Sequence, residues 1–496
     1  MAVSARAPLV DRLAESLPGP VELRETHAAW VLLSGDTALK VRKPVRFAFL
    51  DYSTLARRYA AAVEEVRVNE PLAPGVYRGV RALVERDGRL TVGPFGAAAK
   101  AVEYAVEMRR FDERRTMAEL CADQSLHAGQ IDAVARVLVR FHATAARCDG
   151  GAQAFRARVG ADVRELEALL GPLPALARYA EAALARNAAQ LDARAERGLC
   201  RDGHGDLRAE HVVLEQDPLI VDRIEFDPAL RRIDVGSDLA FLIMDLEDRG
   251  CAPAARRLLV AYQRAGGDPG DARLRALFAW QRALVRAKVS LLRHEEPAAH
   301  RLLELAERFA WRERLAGVVL VLGPPASGKS TLARALTQCS GLPLLSSDVT
   351  RKTLLGASPT VRLDDDAYRE QVTHAVYRTL GMRAAAACAR HGGVVVDATG
   401  RTRELRRTLV EHLGASGPVT AIVCEAPLEL RLARAQARLA DRARVSDADP
   451  AIVRRLARQF ELVDAGEDGI DTFVAADGEQ PVETMLCELA AELDLR

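Results

Sequence analysis

Lysine is nearly missing from this chain: six residues, at positions 40, 43, 100, 288, 329 and 352, stand against 64 arginines. Where guanidinium is so strongly preferred, each retained ammonium is a candidate for a task that needs a compact point charge; Lys100 and Lys288 alone are read as ordinary. Aromatic side chains make up 5% of the residues, too few rings for a protein built to stack single-stranded bases. Charge of one sign is lacking too. With 70 basic and 69 acidic side chains the net charge is +1, so no whole-molecule field draws in nucleic acid or an anionic membrane. A polyanion has to be met locally, and nucleic acid stays open as a partner only for the C-terminal part. No run approaches 18 apolar residues, and the opening MAVSARAPLVDRLAESLPG has no basic-then-apolar leader. The expectation is a cytoplasmic protein with no membrane partner. The eight cysteines never form Cys-x-x-Cys and never sit beside histidine at zinc-ligand spacing, so they are expected as scattered, reduced thiols.

What is present is ordinary globular material: 49% hydrophobic and 28% charged residues over 496 positions, enough for large cores and two to four domains. WVLLS from Trp30, a Gly35-Asp36 turn and ALKV carrying Lys40 read as a β-hairpin. Ser53 or Thr54 is placed to cap a helix running to about Asn69, with Leu55, Tyr59, Ala62 and Val66 on one face. Val102–Val106 reads as a further strand, and helical runs are expected over 130–145, 162–195, 253–265 and 272–310. They are interrupted by RDGHGDLRAEH and the strand-like LIVDRIEF. From Gly317 the pattern becomes strand then helix: VVLVL (318–322), PLLS (343–346), VVVD (394–397) and TAIVC (420–424). That alternation predicts an α/β part with a parallel, helix-covered sheet. A boundary near 310–316, without a flexible linker, divides the chain into residues 1–312 and 313–496.

Residues 323–331, Gly323, Pro324, Pro325, Ala326, Ser327, Gly328, Lys329, Ser330 and Thr331, fit G-x-x-x-x-G-K-[ST] after an apolar strand and at the start of a helix. Such a loop wraps phosphate oxygens in main-chain N–H groups, with Lys329 neutralising the transferring phosphoryl group and Ser330 reaching Mg2+. In an open α/β sheet ligands gather at the carboxyl ends of the strands, which is where Asp348 and Asp397 fall. Asp397 is expected to support Mg2+, and Asp348 to act as base toward an acceptor hydroxyl, with Arg351 fixing the acceptor's charge. A helix N-cap is the plainer reading of Asp348. Arg431, Arg434, Arg438 and Arg442 share one helix face; Arg438 and Arg442 are expected on a mobile lid, against the alternative of a solvated arginine face. Asp364-Asp365-Asp366 reads as a solvated loop or helix start.

A second constellation is His204-Gly-Asp206-Leu-Arg-Ala-Glu-His211. A phosphoryl-transfer loop needs an Asp to address the acceptor hydroxyl and a metal ligand five residues on. Asp206 suits the first task, and His211 holds the second position with an imidazole, a softer and poorer ligand for Mg2+ than an amide oxygen. Asp222 and Glu225 in VDRIEFD are the carboxylates available to a metal, and a regular strand would put them on opposite faces. Lys40 is placed as a lysine for ATP phosphates, with Glu65, which flanks the apolar face of the next helix, as its partner. Lys43 and Glu64 are the alternatives.

GPPASGKST, SSDVTRK and VVVDATGRTRELR resemble the small P-loop kinases, the polynucleotide-kinase, gluconate-kinase and antibiotic-phosphotransferase group, over about residues 317–465. ALKVRKP, VEMRRF, GHGDLRAEH, VDRIEFD and RIDVGSDLAFL resemble the aminoglycoside phosphotransferase-like, protein-kinase-like fold over about residues 20–310. The whole is similar to bacterial fusions of an aminoglycoside phosphotransferase with an ATP-binding protein. The resemblance implies a multidomain chain: an N-terminal α+β kinase-like two-lobe fold, and a C-terminal α/β P-loop NTPase of AAA-type ATP-binding kind. It implies two sites for ATP and Mg2+, small-molecule hydroxyl acceptors, and His204 and Asp238 as props of the catalytic loop. Acceptor identity does not follow from fold. A kinase-like sensor regulating a P-loop enzyme and a nucleotide-gated interaction protein are the other function classes in play.

Overall fold

The computed structural model describes residues 8–47, 50–358, 360–437, 439, 449–457, 459–463 and 469–496. In the N-terminal part, alternating side chains build an antiparallel sheet of six strands: β1 (Val21–Glu25), β2 (Ala29–Ser34), β3 (Thr37–Arg42), β4 (Tyr77–Arg86), β5 (Arg89–Phe95) and β6 (Ala101–Arg109), in the order β1-β2-β3-β6-β4-β5. The expected hairpin is β2–β3, in a register that sets Lys40 opposite Val31. A second hairpin is β4–β5. It turns through Asp87-Gly88, both at positive φ (50° and 75°), the pair favoured where a tight turn must match strand twist. Leu32, Leu39, Val41 and Leu83 fill one side of the sheet. On the other side Ala62, with Tyr59 and Val66, brings the Leu55–Asn69 helix against Val80, Ala82 and Val106. Thr54 caps that helix by accepting from the Arg57 amide at 3.3 Å.

Three expectations of regularity fail for backbone reasons. The 162–195 run is two helices, Ala152–Leu170 and Pro174–Glu196, because Gly171 turns left-handed (φ 87°) and Pro174 can begin a helix but not continue one. The 272–310 run is likewise Ala272–Leu292 and Glu296–Arg314, parted at His294 (φ 60°). LIVDRIEF is paired as a strand only at Leu219–Ile220, and Asp222 leaves the extended region with φ 63°.

The C-terminal part holds five parallel strands, β7 (Gly317–Leu322), β8 (Leu344–Ser346), β9 (Gly393–Asp397), β10 (Val419–Glu425) and β11 (Thr472–Asp477), in the order β8-β9-β7-β10-β11. β11 had not been anticipated. Every residue of β7 is buried. Val318, Leu320 and Leu322 face one layer of helices, Glu370–His391 and Arg403–Glu411. Val319 and Val321 face the other, Lys329–Ser340 and Val482–Leu495. Burial on both faces is why these strands read as unbroken apolar runs. The two-part fold class expected from the sequence holds.

By compactness the chain forms two units, Met1–Phe155 with Gln190–Pro269, and Arg156–Ala189 with Gly270–Arg496. Within the second unit the fully buried Glu313 accepts from Arg186 (2.7 Å) and Asn187 (3.0 Å), so the segment 156–189 is held to the P-loop unit by a satisfied buried charge. Among the described residues no helix is long and apolar enough to cross a membrane, and no disulfide joins any of the eight cysteines.

Candidate active sites

The phosphate loop spans the turn from β7 to the Lys329–Ser340 helix. Gly323 (φ 142°) has no room for a side chain, since a Cβ there would stand 2.3 Å from the Cys424 carbonyl oxygen. Ala326 (φ 65°) and Gly328 (φ 107°) bend the chain so that it enters the helix from the left-handed region. Pro324 and Pro325 have no N–H to offer, and the Ser327 and Thr331 amides donate to the Pro324 (3.3 Å) and Gly328 (2.9 Å) carbonyls, so the donors the loop presents are the amides of Ala326, Gly328, Lys329 and Ser330. The loop is pinned through the Ser327 carbonyl, which accepts from Cys424 Sγ (3.5 Å) and Arg434 (3.5 Å); Arg434 also donates to the Gly478 carbonyl at 2.8 Å. Burial raises the Cys424 thiol to about 11, so it stays a donor.

Parallel register brings the acids to the same edge. Asp397 is the last residue of β9, level with Val321 of β7 and Ser346 of β8. It is buried, and its Oδ1 has no hydrogen-bond partner among the described residues. An orphaned carboxylate oxygen at that depth fits a cation or its bound water. Asp348 lies two residues beyond Ser346, in the first turn of the Ser347–Leu354 helix, and the cap position itself belongs to Ser346; the N-cap reading of Asp348 does not apply. Arg351 is buried, stacks on Tyr368 (4.7 Å to the ring centroid) and donates to the Ala367 carbonyl at 2.7 Å. Its Nε has no partner among the described residues. Burial, opposed by Tyr368 and Asp348, holds the Arg351 guanidinium below its ordinary value. Asp364 caps a short 3-10 turn, Asp365–Tyr368. The arginine face is not uniform: Arg431 is buried and Arg434 grips the loop. Arg438 and Arg442 lie outside the described residues.

In the first unit the hairpin and helix bring Lys40 Nζ to 2.8 Å from Glu65 Oε1, and Lys40 also meets Asp222 Oδ1 at 3.2 Å. Lys43 turns away to Glu25 and the Trp30 ring, and Glu64 to Arg67 and Arg231. Arg42 takes the other Glu65 oxygen and reaches Glu225 at 3.0 Å, where the Tyr52 hydroxyl also donates (2.9 Å). The left-handed turn at Asp222 thus lets Asp222 and Glu225 meet one cation pair, which a regular strand would have forbidden. Burial alone would lower Lys40; Asp222, Glu65 and Glu225 outweigh it and hold the ammonium above its ordinary value. Lys40 in turn is the main cause of the lowered Asp222 carboxyl.

The catalytic-loop candidate is propped from beneath. Asp238 accepts from the His204 and Gly205 amides (2.7 and 3.0 Å) and contacts His142 Nε2 at 3.2 Å. His204 Nε2 donates to the Val221 carbonyl (2.9 Å) while Nδ1 accepts from the Asp206 amide (3.3 Å). Burial pushes His204 down to about 4. Asp245 holds the Ala209 amide at 2.8 Å. Arg208 clamps Asp206 with two 3.0 Å bonds, one to each carboxylate oxygen. Arg42, Arg208 and Asp245 escaped the sequence reading, and Arg434 was read only as one of four arginines on a helix face, not as a support of the loop. Arg208, two residues from Asp206, and Arg42, two residues from Lys40, lay close enough along the chain to be suspected.

Residues 318–463 match a protein family described as AAA domain. The uncharacterised Mycobacterium tuberculosis protein Rv2004c is 30% identical over 477 residues, 91% of this chain and 92% of its own length, and so is the uncharacterised Mycobacterium bovis protein Mb2027c. The chain belongs to their family. Among solved structures it is similar to a choline/ethanolamine kinase family protein from Mesorhizobium loti (16% identity, 61% of this chain, 94% of that one, TM-score 0.38). It is also similar to a gluconokinase from Sinorhizobium meliloti (22% identity, 36% and 93%, TM-score 0.26). The AAA-domain match and the strand order around the phosphate loop support a nucleotide-binding role for this family member.

Proposed function

We propose that the chain is an ATP-dependent phosphotransferase with two nucleotide sites, each passing a γ-phosphoryl group to a hydroxyl of a small molecule. The observation that carries the reading is the register that puts Asp397 beside β7 and Ser346, with the phosphate loop and Asp348 leaving the same sheet edge. At that edge the loop amides and Lys329 grip the phosphates, Asp348 takes the acceptor proton, and Arg351 orients the acceptor. Mg2+ held by Ser330 and Asp397 would supply charge neutralisation between phosphates. In the first unit Lys40, set by Glu65, binds phosphate and Asp206 addresses the acceptor hydroxyl. The bond formed is acceptor oxygen to phosphorus, the bond broken is phosphorus to the ADP oxygen, and the hydroxyl proton goes to the carboxylate.

One observation favours a second reading of the first unit, as a sensor that binds nucleotide without turnover: Arg208 neutralises the carboxylate that a base would need. Untargeted mass spectrometry of cell extract treated with ATP and wild type, Lys329→Ala, Asp206→Ala or the double variant decides. Phosphoesters that vanish separately with each substitution are expected. Products lost only with Lys329→Ala would leave the sensor reading standing, and no dependent phosphoester at all would end the proposal.

A further inference from the structure

His211 is buried, 7% exposed, and two contacts fix its protons. Nδ1 lies 2.8 Å from the Asp206 carbonyl oxygen. A carbonyl only accepts, so Nδ1 carries the hydrogen. Nε2 lies 3.3 Å from Arg208 NH2. A guanidinium only donates, so Nε2 presents a lone pair. That lone pair faces carboxylate oxygen on two sides, Asp222 Oδ2 and Glu210 Oε1, each at 3.6 Å. Acceptors face acceptors here; the cations around them are Arg208 and Arg249 on Glu210 and Lys40 on the other Asp222 oxygen.

An imidazole whose Nδ1–H is tied to a backbone carbonyl and whose Nε2 carries the lone pair is oriented as metal-bound histidines are. The 3.6 Å between Nε2 and Asp222 Oδ2 is what two ligands subtend at about 120° when each sits roughly 2.1 Å from a zinc-class ion. Magnesium demands near-octahedral oxygen and prefers its own water to imidazole, whereas zinc and cobalt take nitrogen readily. We infer that His211 and Asp222 form a site for a borderline divalent ion of the zinc and cobalt class, in preference to magnesium. The inference deepens the reading of the first unit as a nucleotide site, because the other Asp222 oxygen is bonded to Lys40. The ion would tie the 204–211 loop to the Asp222 turn, and Arg208 would yield Nε2 while keeping Glu210 through NH1 and Asp206 through Nε and NH2.

The test uses the full chain and cobalt as probe. His374→Ala is carried in every sample, because Glu370, His374 and Glu404 of the second unit place ligand atoms within 4.8 Å of one another and would add a background. Cobalt chloride is titrated while visible absorption and calorimetry are followed. A His211-dependent band is expected, absent in His211→Ala and weakened in Asp222→Asn, displaced by zinc but not by a hundredfold excess of magnesium. His211→Asn, which restores an oxygen ligand, should lower the cobalt-over-magnesium preference by at least about tenfold. A band indifferent to His211→Ala, or displaced as readily by magnesium as by zinc, overturns the inference. Binding of a non-hydrolysable ATP analogue, with Lys40→Ala as control, is read in parallel. If it stays Lys40-dependent while the cobalt band ignores His211, the metal inference alone fails. If the band behaves as expected but the nucleotide ignores Lys40, the nucleotide reading fails instead.

Discussion

His204 shows how one buried side chain sets a pH limit on this molecule. Fully buried, it donates to Val221 and accepts from the Asp206 amide, a pattern that only the neutral ring can satisfy. Burial lowers its value from 6.5 to about 4. As pH falls, the unfolded chain takes up this proton first, so the contribution is complete above the unfolded value and is lost on the way down toward the native one. By about pH 5 the loss should reach roughly 2 kcal/mol, from about 1.4 kcal/mol for each unit between the unfolded value and the solution pH. Asp238 does not blur this window. Burial raises it and His142 lowers it, with the lowering dominant, so its contribution is lost only below the ordinary carboxylate range. Urea unfolding of the first unit, followed by hydrogen exchange over residues 204–240 at about pH 7 and about pH 5, should show the drop in wild type. His204→Gln, which keeps a donor for Val221 but does not titrate, should lack it; parallel profiles would refute the account.

At the scale of elements, the phosphate loop owes its shape to strands distant in sequence. Gly478 follows β11, and a Cβ added there would stand 2.0 Å from the Ser327 carbonyl oxygen and 2.7 Å from that of Glu425. Both are backbone atoms, so no side chain can swing aside to make room. Gly478→Ala should therefore displace the loop and weaken ATP binding at Lys329 by at least about tenfold, or roughly 1.4 kcal/mol. Calorimetry should find the Lys40-dependent binding intact. A normal affinity at both sites would show that the loop tolerates the shift. The same geometry explains what the sequence could reveal. The loop is consecutive residues, Asp397 closes an apolar run, and helical period separates Glu65 from Glu64; each is a local pattern. Arg434 meets Ser327 from 107 residues away, through the neighbour order of β7, β10 and β11, which no local pattern specifies. Asp222 and Glu225 were readable as acids but not as partners of one cation pair, because that depends on a single left-handed residue that is not glycine.

For the whole molecule, the decisive quantity is how many triphosphates one chain holds. Lys40 stands in an ion-paired cluster of the first unit, and Lys329 opens a helix of the second, so the two grips share no residue. Groups without shared partners contribute independently. Wild type should bind two equivalents of a non-hydrolysable ATP analogue, Lys329→Ala and Lys40→Ala one each, and the double variant none. Where each equivalent resides is separable too. A ligand at a hundred times its dissociation constant stabilises the unit that binds it by about 2.7 kcal/mol. Amides of residues 323–340 should lose their ligand-induced protection from hydrogen exchange only in Lys329→Ala, and those of 37–42 and 55–69 only in Lys40→Ala. Lys40→Ala also leaves Glu65 and Asp222 short of a cation, so its protection must be compared without ligand as well as with it. A single equivalent in wild type, abolished by either substitution, would mean one nucleotide shared by both lysines and would contradict two independent sites.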